Sequence, residues 1–136
     1  MDILLESLSG LDEFLAYFAA SLCLLAACVA VYVRITPYAE IQLIRDGNVA
    51  AAASLSGAVL GFAVPLASAV LSSANFPDML MWGVIALAAQ LIAYLLVRLL
   101  IPHLSADIPA GKVAPGVFLG AVSVAIGILN AVCMTY

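Results

Sequence analysis

VAAAASLSGAVLGFAVPLASAVLSS, residues 49–73, runs uncharged for longer than the ~20 residues a helix needs to cross about 30 Å of hydrocarbon. Three further uncharged stretches surround it, near Phe14 to Val33, Met79 to Val97 and Ala114 to Thr135. Helices of this length with no polar face do not suit a soluble core. They predict an all-α fold, a four-transmembrane-helix bundle.

Composition gives the same answer. The chain is 67% hydrophobic and 9% charged, with a mean hydropathy of +1.26, whereas soluble domains are about half apolar and about a quarter charged. A soluble fold of 136 residues would still expose roughly a third of its unfolded surface, so lipid must accept the excess. The partner expected first is therefore the bilayer. The net charge of −4 argues against nucleic acid, and half of the acids, Asp2, Glu6, Asp12 and Glu13, precede the first apolar run.

The N-terminus lacks the basic region and small-residue cleavage site of a signal peptide, so the first apolar run is expected to remain in the mature protein. Ser9 and Asp12 have capping-box spacing ahead of it, and Ile3, Leu4, Leu8 and Leu11 suggest a short interfacial helix. Cys23 and Cys28 point to different helix faces, which disfavours a disulfide scaffold. Cys133 reads as a small hydrophobe, with an intersubunit bridge or lipidation as alternatives.

The four basic residues fall in two places. Arg34 and Arg45 flank the connection between spans one and two, and Arg98 and Lys112 flank that between three and four. The positive-inside rule puts both connections in the cytoplasm, and both termini outside with the turn Ser72 to Asp78. Phe14, Tyr17, Phe76, Trp82 and Tyr136 would mark the outer interface, and Tyr32, Tyr38 and Tyr94 the inner one.

A faint internal repeat follows, with a period of about 63 to 65 residues. Ile35, Thr36 and Pro37 follow span one as Leu100, Ile101 and Pro102 follow span three. An acid, a glycine and a small-residue helix come next: Glu40 and Gly47 before Ala53, Gly57 and Gly61, and Asp107 and Gly111 before Gly116 and Gly120. Two helices per unit restore the starting orientation. Residues 1–136 thus form one integral membrane domain of two parallel two-helix repeats, about 12–73 and 77–136. In the first connection Thr36 is a plausible N-cap, Pro37 an N1 residue and Gly47 a stop, predicting a short helix with Tyr38, Ile41 and Ile44 on one face. The second connection, with Pro102, Pro109 and Gly111, reads as irregular.

Small residues at four-residue spacing in spans two and four let helix backbones approach closely. Gly57, Gly61, Gly116 and Gly120 are accordingly candidates for helix packing or for lining a pore. Pro65 should bend span two, freeing the Gly61 carbonyl for Ser68 or a neighbouring helix. Gln90 and Asn130 must face inward, either hydrogen-bonded between helices or along a polar path. No ionisable residue lies deep in a span, Arg98 being able to snorkel, which weakens readings as a proton pump or voltage sensor. Glu40, Asp46, His103 and Asp107 fall short of a metal set, and there is no phosphate loop or serine elbow. No catalytic, cofactor or metal residue is assigned.

The chain resembles the YjfL-like family of bacterial inner-membrane proteins, domain of unknown function 350. The likeness rests on Ile35, Thr36, Pro37, Glu40, Leu43, Ile44 and Asn48; on Gly57, Gly61, Pro65 and Ser68; on Asp78, Trp82, Gly83, Gln90 and Arg98; and on Gly116, Phe118, Gly120, Gly127, Asn130 and Cys133. It covers nearly all of the chain after the first helix. The resemblance implies a multi-pass protein of the bacterial inner (plasma) membrane, of no established activity, whose relatives are associated with envelope-stress proteins of the phage-shock type and with polyamine-conjugate ligases. The expectation is a non-enzymatic module that forms a homo-oligomer or docks a cytoplasmic partner through Glu40, Arg45, Asp46 and Asn48. The alternative is an oligomeric channel or small-solute transporter.

Overall fold

A computed structural model describes residues 2–72 and 75–134. The order is α1 (Asp2–Ser9), α2 (Leu11–Ile35), α3 (Glu40–Arg45), α4 (Val49–Ser72), α5 (Phe76–Leu100), α6 (Leu104–Asp107) and α7 (Val113–Cys133), with no strand among the described residues. Four segments have the length and apolarity to cross a membrane, the first running from Asp2 to Ile35 because α1 leads into α2. The expected spans are present, with ends shifted by a few residues. The expected ends at Ser73 and Thr135, and the belt residue Tyr136, lie outside the described residues.

Several helix ends differ from expectation. Ser9 closes α1, its hydroxyl donating to the Glu6 carbonyl at 2.7 Å, and Gly10 takes the N-cap of α2 without a side-chain bond. Thr36 ends α2 rather than starting α3, whose N-cap is Ala39. Asn75 starts α5, its side chain accepting from the Asp78 amide at 2.9 Å. Both connections contain a helix, including the one expected to be irregular, and both stop on a glycine of positive φ, Gly47 at +86° and Gly111 at +84°. The amides of Gly47 and Asn48 bond back to Ile44 and Leu43, and those of Gly111 and Lys112 to Ile108 and Asp107. This is the paired 5→2 and 6→1 closure of a Schellman stop, which needs the left-handed backbone that glycine tolerates.

α4 lies at the centre, and its most extensive contact is with α7, which runs parallel to it. The two approach backbone to backbone. A methyl at Gly116 would enter the Ala50 carbonyl, one at Gly57 the backbone of Gly120, and one at Gly127 the backbone of Gly61. At such separations Cα–H groups sit against carbonyl oxygens, a contact of about 0.5–1 kcal/mol each. Pro65 is buried within α4, and the Gly61 carbonyl that it deprives of an amide faces Gly127. The Ser68 hydroxyl donates across to the Ala131 carbonyl of α7 at 3.3 Å.

α2 and α5 pack on this pair from outside. Cys28 donates its thiol to the Gly83 carbonyl at 3.7 Å, and Leu24 fills the space over Gly83. At one end of the bundle Ala20 and Trp82 pack on Ala69, Met79 and Met134. The other end carries α3, α6 and the four basic residues, and is called the basic end below.

Replacing Gly57 by Leu should push α4 off α7 and destabilise the bundle by about 1–3 kcal/mol or more. Gly10→Ala, whose new methyl meets nothing closer than the Ser7 carbonyl at 3.7 Å, should leave thermal unfolding in detergent unchanged. Equal midpoints for the two variants would contradict the packing described.

Candidate functional site

The basic end holds a polar cluster that composition gave little reason to expect. Tyr32 and Tyr94 come from the last turns of α2 and α5, Tyr38 and Glu40 from the first connection, and Ser54 from the second turn of α4. All five are buried, Glu40 completely. The three tyrosines are therefore interior groups rather than an inner aromatic belt. Tyr32 is set by edge-to-face contacts, with Phe62 at 5.9 Å and with Tyr94 at 6.5 Å between ring centroids.

Glu40 is held by Thr36. The Thr36 hydroxyl lies 3.1 Å from the Val33 carbonyl and 2.5 Å from Glu40 Oε1. One hydroxyl hydrogen cannot serve both oxygens. Both contacts become hydrogen bonds when Glu40 carries a proton and donates to Thr36, leaving Thr36 to donate to Val33. Burial favours the same state. It lifts the Glu40 carboxyl from its ordinary 4.5 to about 7, against a smaller opposing pull from the Thr36 bond. Among the described residues no basic side chain is within ion-pair distance of Glu40, and its Oε2 has no hydrogen-bond partner, nor do the hydroxyls of Tyr32, Tyr38 and Tyr94. Burial beside Glu40 also raises the Tyr38 phenol, which stays neutral.

Asn48 ties this end together. Its Oδ1 accepts from the Ala51 amide at 3.0 Å, the N-cap bond of α4, while its Nδ2 donates to the carbonyls of Ile108 at 2.9 Å and Pro109 at 3.3 Å. One amide thus caps a central helix and fastens the first connection to the second. Beside it Leu43, Asp46, Gly47, Pro109, Gly111 and Val113 line a shallow depression.

A family profile described as Domain of Unknown Function (DUF350) matches residues 5–134. The chain belongs to the DUF350 family. It is 41% identical over 129 residues to the UPF0719 inner membrane protein YjfL of Escherichia coli strain K12, covering 95% of this chain and 98% of that protein. The YjfL protein of strain O157:H7 matches to the same extent. The UPF0719 transmembrane protein YshE of Bacillus subtilis strain 168 is 28% identical over 97 residues, 71% of this chain and 72% of that one. No solved structure matches. With four apolar spans and relatives so named, this DUF350 protein is a multi-pass inner-membrane protein.

In this DUF350 chain the residues expected to dock a partner divide. Arg45 and Asp46 are exposed, with Gln42 donating to Asp46 at 3.4 Å, whereas Glu40 is turned inside and the Asn48 amide is used internally. Burial excludes Glu40 from any direct contact with a partner in this conformation. Ile41 and Ile44 are exposed on α3, but Tyr38 leaves their face for the interior. Gln90, on α5, donates to the Ser123 carbonyl of α7 at 3.0 Å, at the level where a side chain on Gly61 would strike it. Asn130, half-buried on the same helix, does not join that bond. Asp107 pairs with Lys112 at 3.4 Å, and His103 is exposed.

Two measurements follow. The folded chain binds the Glu40 proton more tightly than the unfolded one, so this contribution is complete below pH 4.5 and is lost as pH rises through about 7. Between pH 5 and 8 the wild type should lose on the order of 2–3 kcal/mol, and Glu40→Gln should flatten that slope; a parallel slope in the variant would refute the assignment. Asn48→Asp keeps the cap of α4 but sets a carboxylate against the Ile108 and Pro109 carbonyls. Hydrogen exchange of Gly111 and Lys112 should then accelerate in Asn48→Asp by about tenfold or more, the effect of losing roughly 1.4 kcal/mol.

Proposed function

We propose that this protein is a non-enzymatic membrane module whose basic end forms a rigid platform for a cytoplasmic partner, and that it acts as a homo-oligomer. The observation that carries this reading is the Asn48 amide, which makes one surface of two connections distant in sequence. Arg45 and Asp46 are exposed on that surface at the depression formed with Gly47 and Gly111. The positive-inside rule supports a cytoplasmic basic end and outer termini, since Arg34, Arg45, Arg98 and Lys112 all belong to it. Glu40, the most perturbed carboxyl outside the spans, is shut off from solvent and has no route to a soluble substrate. The family resemblance favours an envelope-stress protein as the partner.

We read the two hairpins as parallel copies, which further supports a single domain. Glu40 and Leu104 each begin a short helix and are each wholly buried, and they are separated by the same interval as the Schellman glycines Gly47 and Gly111. On this register Glu40 corresponds to Leu104 rather than to an acid near Asp107. An apolar side chain fills the equivalent place in the second half.

The charge-reversed pair Arg45→Glu with Asp46→Arg should insert normally and lose at least about tenfold of partner recovered after crosslinking in native membranes, as expected for contacts of 1–2 kcal/mol. Recovery unchanged by the reversal would refute docking at this end. The competing reading, an oligomeric channel or small-solute transporter, requires a path between copies, because α4 and α7 meet backbone to backbone. Flux of ions or polyamines into liposomes holding the purified protein would favour it over docking.

A further inference from the structure

α1 and the first half of α2 extend past the bundle they belong to. The contact of Ala20 with Ala69, Met79 and Met134 lies at the ends of α4 and α7 and the start of α5. Residues 2–19 therefore continue beyond those ends, over about 27 Å of helix at 1.5 Å per residue. The bundle does not need this length, since the 24 residues of α4 already reach about 36 Å, enough for about 30 Å of hydrocarbon. Yet among the described residues Leu4, Leu8, Leu11, Leu15 and Phe18 on one side of this extension are all exposed.

That side has a regular order. Leu4, Leu8, Leu11, Leu15, Phe18 and Leu22 are spaced alternately four and three residues apart, and each is between 45% and 64% exposed. Alternating spacing of this kind places a straight seam on a helix and is the pattern by which two helices pair knobs into holes. A lipid-facing helix has no need of it, since lipid accepts apolar residues on any face. The acids respect the seam. Asp2, Glu6 and Glu13 project from the opposite side, and Asp12, which flanks the seam, would meet Ser7 of a parallel neighbour rather than another acid.

We infer that this face is an interface with a second copy of the chain, formed by a parallel coiled coil of α1 and the first half of α2 through Leu4, Leu8, Leu11, Leu15, Phe18 and Leu22. Copies inserted in the same direction relate by a two-fold axis along the membrane normal, which brings identical seams together in register. Six large side chains of this exposure bury on the order of 1,000 Å² in total when paired, about the area needed for a specific interface. At the bundle the seam reaches the groove between α2 and α4, which Leu22 and Leu25 line together with Leu66. This deepens the self-association proposed above and is independent of docking at the basic end.

Disulfide scanning of the full chain in native membranes tests it. With Cys23, Cys28 and Cys133 replaced by Ala, single cysteines at Leu8, Leu11 and Leu15 should form oxidised dimer about tenfold more readily than cysteines at Glu6 and Glu13, following the seam. In nanodiscs loaded at two copies each, Leu8→Lys with Leu15→Lys should turn dimeric particles into monomeric ones while partner capture still depends on Arg45 and Asp46. Even crosslinking around the helix, or none at the seam positions while the same cysteines react with a maleimide, would overturn the interface, and a seam shielded by lipid alone would give that result. Loss of partner capture with seam crosslinking intact would count against the docking platform and leave the interface standing.

Discussion

Between α4 and α7 the distance is set by carbonyl oxygens resting against the Cα atoms of glycines. In lipid, apolar side chains gain nothing by leaving the solvent, so helices associate through close packing and the few polar bonds they can form. Gly57, Gly61, Gly116, Gly120 and Gly127 make the approach possible, and the remainder of the bundle is arranged around it. Gln90 reaches the Ser123 carbonyl because α4 and α7 are already in contact, and the carbonyl freed by Pro65 is tolerated because Gly127 faces it.

The same closeness governs the basic end. α4 and α7 start side by side, so the segments that lead into them meet, and the single Asn48 amide can cap one helix and reach the carbonyls of Ile108 and Pro109. Beneath this surface lies Glu40, its carboxyl raised by burial to about 7 and hydrogen-bonded to Thr36. A carboxyl kept inside an apolar bundle without a cation is costly.

Much of the fold was legible in the residues. Uncharged runs longer than a bilayer is thick gave the four spans, and Gly47 gave the stop of α3. The site was less legible. Tyr32, Tyr38 and Tyr94 stood where an interfacial belt would stand, and only the packing of α2, α3 and α5 turned them inward. Thr36 and Pro37 looked like a helix start, but Thr36 serves the end of α2 and the Glu40 carboxyl instead. Nor could a proline-rich second connection be expected to contain α6. Capping spacings of this kind are local and degenerate, and tertiary partners decide which is used.

By itself, then, the sequence determined that this chain lives in lipid, crosses it four times and gathers its basic residues at one end, because a peptide backbone without water must satisfy its own hydrogen bonds and helices are how one chain segment does so. Only the tertiary structure decided that α4 lies against α7, that Glu40 points inward and Arg45 outward, and that Asn48 spans two connections. Those outcomes depend on which faces meet, and a face is defined by its neighbour as much as by its own residues.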